Sequence, residues 1–237
     1  MFQMGRNVTW LANDAWDVVS ASAEFFASRA SVDRATGNFT QLSVISPDER
    51  AGLHDSNAYT NAVAGETMRF ALRIANLTGR QHQGLANWTR MSRAVYLPTA
   101  SLGDMTVHPE YAGYNGEAIN QADVALIYYP LGLAMSRALT LADLTYYQQR
   151  SSGPGTAGFY TGDSAYSIAW LALGVRVQAD IQFGLAFAHM DLGAYNVWCE
   201  KSFGDFGHKN FVTGAGGYLQ NYIMGYGGVR YTDEGML

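Results

Sequence analysis

The chain has 237 residues, with 15 Lys and Arg against 20 Asp and Glu and a formal net charge of -5, so it lacks the basic footprint that affinity for nucleic acid requires. Hydrophobic residues make up 48%, which predicts one globular domain with a sizeable core and excludes a disordered or fibrous chain. The longest nearly apolar stretch, Val124 to Met135, is interrupted by Pro130 and falls far short of the ~20 residues that a membrane span needs.

From the N-terminus, Trp16, Val19, Ala23, Phe26 and Ala30 recur every three or four residues and predict a helix over about 14 to 30. A second helix opens at Asn57, a favoured cap, and runs through Tyr59, Val63, Phe70, Ile74 and Leu77 to Gly79. Glycine suits the position just past a helix end because it accepts positive φ. A third helix covers 81 to 94, with Leu85, Trp88 and Met91 on one face. Ala118 to Tyr129 reads as a fourth, stopped by Pro130. Further helices are expected near 138 to 150, 163 to 175, 178 to 190 and 214 to 225. No sustained period-two run bounded by hairpin turns occurs, so the chain reads as all-α with eight helices.

The connections alternate in length. Those at 31 to 56, 95 to 117, 151 to 162 and 191 to 213 are long, whereas those near 80, 130 to 137 and 176 are shorter. Helices joined by short turns run antiparallel, so the long connections are expected to gather at one end and form the rim of a site. The alternative is that some of them contain short strands or further helices.

These long segments hold carboxylates: Asp48 and Glu49, then Glu110 and Glu117, then Glu200 and Asp205. A glycosidase needs two such groups, one protonated to assist departure and one ionised to activate the attacking water. A 13% aromatic content beside only 15% charged residues suits either a sugar-binding surface or an aromatic-rich core. The single Cys199 cannot form an internal disulfide and reads as a small buried hydrophobe. His54, His82, His108, His189 and His208 show no metal-ligand spacing, so no metal and no cofactor is expected. Gly214-Ala215-Gly216-Gly217 lacks the lysine of a phosphate loop and reads as close helix packing or a backbone contact to sugar. Asn7, Asn38, Asn76 and Asn87 each begin an N-x-T sequon, which tilts the compartment toward the secretory pathway, vacuole or lysosome. Met1 to Asp14 carries no apolar export core.

Seven segments in series carry a resemblance. They are Trp16 with Ala23-Glu24-Phe25-Phe26-Ala27-Ser28-Arg29, Ser46-Pro47-Asp48-Glu49, Asn57-Ala58-Tyr59-Thr60-Asn61, Gln121-Ala122-Asp123-Val124, Tyr129-Pro130-Leu131, Val197-Trp198-Cys199-Glu200, and the run Phe211 to Gln220. Together they resemble glycoside hydrolase family 65, and within it the acid trehalase-like branch. The resemblance implies an incomplete (α/α)6 toroid of the six-hairpin glycosidase type, with about eight of twelve helices. The chain would be the C-terminal two thirds of that catalytic domain, without the family's N-terminal β-sandwich, first helices and C-terminal β domain.

The function implied is inverting hydrolysis of an α-glucoside. By resemblance Glu49 is the general acid, held neutral by desolvation, and Glu200 is the general base that selects water over phosphate. Gln121 matches a glucose-binding residue, preceded in the family by a lysine where this chain has Asn120, an amide that can still bond a hydroxyl. Tyr111, Tyr114, Glu117 and Trp198 are expected to shape the glucose pocket. Trehalose, a kojibiose-type linkage and a glucosyl-galactosyl-hydroxylysine unit remain open as substrates. The expected partner is therefore a glucose-containing disaccharide or glycan, with no nucleic acid and no membrane. An open ring would also expose apolar flanks on its first and last helices and promote self-association. The competing expectation is a non-catalytic module that at most binds sugar.

Overall fold

The structure, a computed structural model, describes residues 6–34, 36–151, 162–188, 190–191, 194–200, 208–231 and 236. Among these, eight α-helices of four residues or more follow in order: α1 Trp16–Arg29, α2 Ala58–Thr78, α3 Leu85–Arg93, α4 Ala125–Tyr128, α5 Arg137–Ser151, α6 Asp163–Ala172, α7 Arg176–Ala188 and α8 Val212–Gln220. Three antiparallel hairpins interrupt them, pairing β1 (Ala30–Val32) with β2 (Phe39–Gln41), β3 (Ala100–Leu102) with β4 (Met105–Val107), and β5 (Met190–Asp191) with β6 (Val197–Trp198). The mainly helical reading therefore holds, and three long connections do contain short strands. Strands of two or three residues are too brief to print an alternating pattern in the sequence.

Local chemistry accounts for the helix ends. Asn57 Oδ1 accepts the amide of Thr60 at 2.7 Å, and Gly79 closes α2 in the left-handed region at φ 72°. A short helical turn, Val8–Trp10, precedes α1 and is capped by Asn7, whose Oδ1 accepts the Trp10 amide at 2.9 Å. A π-helical turn, Leu11–Ala15, then joins that turn to α1 and buries Leu11 completely.

The fourth helix is the main correction to the sequence reading. Only Ala125–Tyr128 is helical, not 118 to 129. The amide of Asn120 is taken by Asp48 Oδ1 at 2.9 Å, and that of Ile119 by the carbonyl of Arg150 at 3.3 Å. These long-range bonds tie the segment to the Asp48 loop and to the end of α5 in place of a helical course. The segment 118 to 124 instead runs as an irregular strap across the ends of other elements.

Two cores result. The first joins α1, α2 and α3 through Leu11, Trp16, Ala23, Met68, Ile74, Trp88 and Met91. In the second, the N-terminal end of α2 meets Val107, Ile119, Val124 and Ile127, together with Leu144, Tyr147, Tyr166 and Trp170 from α5 and α6. Helix α8 lies close to α6, since a Cβ placed on Gly217 would stand 3.1 Å from Cβ of Ser164. The glycine run at 214 to 217 thus includes a close helix contact, as one of its two readings proposes. Apolar side chains remain exposed along α1 (Val18, Phe25), α7 (Val177, Ile181) and α8 (Leu219). Among the described residues, no helix is long and apolar enough to cross a membrane.

Candidate active site

A cavity of about 390 Å³ is lined by Pro47, Glu49, Asn120, Gln121, Ala122, Leu126, Gly162, Glu200, Phe211 and Thr213. Its lining comes from the segments leading into α2, α4, α6 and α8 and from the first residues of α4 and α8. Three of the four long connections, 31 to 56, 151 to 162 and 191 to 213, meet here; residues 95 to 117 do not line this cavity, and the expected fourth-helix segment supplies Asn120, Gln121, Ala122 and Leu126 instead. The volume falls in the range of small-molecule sites, roughly 300–1,000 Å³.

Backbone pairing places Glu200. Strand β6 continues into Cys199, which bridges Lys209, and the amide of Glu200 donates to the carbonyl of His208 at 3.0 Å. In return the His208 amide donates to Glu200 Oε2 at 3.3 Å, leaving Oε1 for other donors. Glu49 opens a single 3-10 turn, Glu49–Ala51. It is solvent-exposed, so the described residues do not supply the desolvation expected around it. The Pro47 carbonyl accepts the side-chain amide of Gln121, and Asp48 holds the Asn120 amide. Two hydrogen bonds therefore join the loop bearing Glu49 to the strap bearing Asn120 and Gln121. Oδ1 of Asn120 is buried without a partner among the described residues.

Four of the expected residues thus meet in one cavity: Glu49, Asn120, Gln121 and Glu200. The other four do not line it. Tyr111, Tyr114 and Glu117 line a second cavity of about 210 Å³, together with Asp48, Arg50 and Glu110. Tyr111 and Tyr114 are buried members of the second core, and the Tyr114 hydroxyl donates to the Glu117 carbonyl at 2.7 Å. Their bulk is used for packing rather than for stacking in the main cavity. Glu117 is exposed, and the hydrogen bond from the Asn115 amide, first among the causes, holds its carboxyl below the ordinary range. Trp198 packs between α7 and α8, with Nε1 donating to the Ala186 carbonyl at 3.2 Å and its ring 5.2 Å from that of Tyr218. It belongs to a shallow groove of about 290 Å³ beside the site. Asp205 and His189 lie outside the described residues.

Sequence reasoning named Asp48 and Glu110 as loop acids and Asp123 in a motif, but it did not anticipate that all three are buried. Asp48, Glu110 and Asp123 are at most 1% exposed. Burial pushes the Asp123 carboxyl up to about 6, against the hydrogen bonds it receives. One of these comes from Nδ2 of Asn57, 3.2 Å from Asp123 Oδ1, and the same nitrogen lies 3.0 Å from the Glu110 carbonyl. Asp163, the first residue of α6, is 3% exposed and is pushed up to about 7 by burial. Among the described residues no group of side chains could hold a metal ion.

A helical array with a carboxyl-lined cleft at the ends of alternate helices has the architecture of an (α/α)6 glycosidase. A solved structure assigned as a kojibiose phosphorylase, from the human microbiome, shares this fold with a TM-score of 0.72 over 99% of this chain and 38% of that one, at 19% identity. Residues 2–119 match the model of the glycosyl hydrolase family 65 central catalytic domain. The chain is 32% identical over 230 residues to a protein-glucosylgalactosylhydroxylysine glucosidase of Dictyostelium discoideum, covering 97% of this chain and 31% of that protein. It is 31% identical over 228 residues to a kojibiose hydrolase of Mucilaginibacter mallensis, covering 96% of this chain and 32% of that protein. The chain belongs to glycosyl hydrolase family 65. It spans about a third of the length of these two relatives.

Proposed function

We propose that this chain carries the catalytic face of an inverting α-glucoside hydrolase. The observation behind the proposal is that Glu49 and Glu200, far apart in sequence, line one cavity with the amides of Asn120 and Gln121. In this reading Glu49 protonates the interglycosidic oxygen. Glu200 removes a proton from a water that attacks the anomeric carbon from the opposite side, and the configuration inverts. An inverting pair stands roughly 6.5–9.5 Å apart, with the water between the carboxyls. Asn120 Oδ1, buried without a partner, is an acceptor for a glucose hydroxyl, and binding such a hydroxyl relieves its unmet hydrogen bond.

The names of the two relatives support a glucosyl substrate whose second half is a glucose or a galactosyl-hydroxylysine. Incubation with kojibiose, trehalose and glucosylgalactosylhydroxylysine, with released glucose and its anomer followed by NMR, tests this. One substrate should give glucose of inverted configuration, and Glu49→Gln and Glu200→Gln should each abolish it. Unimpaired turnover in either variant rejects the assignment. A second reading, a sugar-binding module without turnover, draws on the exposure of Glu49, because an acid open to water lacks the enclosure that favours a proton donor. Calorimetric binding of a disaccharide with no glucose release would favour it.

A further inference from the structure

Behind the Glu49 loop lies an acid that the proposed chemistry does not use. Glu110 is fully buried, and among the described residues no N–H or hydroxyl donates to either of its side-chain oxygens. Asp48, itself 1% exposed, lines the same small cavity as Glu110. Two carboxylates buried together away from water repel each other too strongly for both to ionise, so the pair holds one proton. Asp48 receives further donors, the backbone amides of Asn120 and Arg50. Those amides favour the charge on Asp48 and leave the proton with Glu110.

The surroundings agree. Burial, then the charges of Asp123, Asp48 and Glu117, push the Glu110 carboxyl up to about 10. The tyrosines that face it, Tyr111, Tyr114, Tyr147 and Tyr166, are all raised by burial and stay neutral. Arg50 lines the same cavity as Glu110 and Glu117 without donating to Glu110.

We propose that Glu110 is a positioning residue: it retains a proton shared with Asp48, and the pair fixes the Asn120 strap against the loop that carries Glu49. Asp48 is the immediate neighbour of Glu49, so moving it moves the proton donor. Loss of the shared proton would drive the two carboxyls apart and release the Asn120 amide. A displacement near 1 Å at a reacting group costs about 10²-fold in rate.

This inference rests on the reading of Glu49 as general acid, and the experiment separates the two. In the purified protein, the infrared carbonyl band of a protonated carboxylic acid at pH 8 is compared between the native chain and Glu110→Gln. Glucose release is measured for Glu110→Gln and Glu110→Ala. The expected result is a band lost in Glu110→Gln, a kcat lowered about 10²-fold in Glu110→Ala, and recovery of most of that loss in Glu110→Gln, whose amide still donates to Asp48. An unchanged band overturns the proposal even in a protein without glucosidase activity, as does Glu110→Gln being as impaired as Glu110→Ala. Should Glu110→Ala fail to fold, the band and the Glu110→Gln rate decide alone.

Discussion

Helix α2 passes through both halves of the molecule, and its two ends live in different chemistry. Its C-terminal half contributes Met68, Ala71, Ile74 and Ala75 to a core of apolar side chains, with Trp88 stacked on His82 at 4.6 Å. Its N-terminal end meets buried polar groups: Asn57 Nδ2 donates to the Asp123 carboxyl and to the main-chain carbonyl of Glu110, and Asn61 Oδ1 accepts the Gln41 amide at 2.8 Å. The first half contains what stability requires, while the second buries polar groups that cost free energy unless something uses them. Buried acids concentrated on one side of a fold point to the side on which chemistry is done.

The largest effect that would break this contrast is catalytic. Glu49→Gln and Glu200→Gln should each lower glucose release by at least about 10²-fold, with melting temperature nearly unchanged, since both side chains are at least partly exposed. A large loss of stability in either variant would blur the division. On the other side, Trp88→Ala should cost about 3–5 kcal/mol in denaturant unfolding, because Trp88 is fully buried.

Asn57→Ala tests the boundary. It removes the cap of α2 and the amide serving Asp123, and should cost about 2–4 kcal/mol, measured in the same way. A cost under 1 kcal/mol would separate helix initiation from the acid cluster. Asp163 sharpens the contrast through pH. Its carboxyl is raised by burial to about 7, so the native state keeps a proton that the unfolded chain has released. That contribution is complete below about pH 4 and is lost as the pH rises through 7. Thermal melts should therefore show Asp163→Asn to be less sensitive to pH between 4 and 7 than the native chain. The smallest effect concerns the exposed apolar face of α7. Changing Val177 and Ile181, 72% and 50% exposed, to serine should alter stability by less than about 0.5 kcal/mol while reducing self-association in sedimentation velocity runs. Identical sedimentation before and after the change would remove that surface from consideration.

Features encoded by neighbouring residues were legible in the sequence. Asn57 and Gly79 bound α2 because caps depend on nearby backbone groups, and the spacing of the helices foreshadowed a cavity to which three of the four long connections contribute. The fourth helix was misread because Asp48 and Arg150, far away in sequence, claim the amides of Asn120 and Ile119. Tyr111, Tyr114 and Trp198 look like sugar platforms by residue type, but type does not report which face of a fold a ring occupies. Glu110 appears as one more loop acid until the fold encloses it. Family likeness singled out Glu49 and Glu200, and the coordinates bring them to one cavity.

The placement of Asn57 has a consequence for assembly. One side chain caps the longest of the described helices and also donates to a buried acid, so the start of that helix and the polar interior depend on the same residue. Any collapsed species in which that turn has not yet wound also has Asp123 without the amide that serves it, a penalty that disfavours half-built forms.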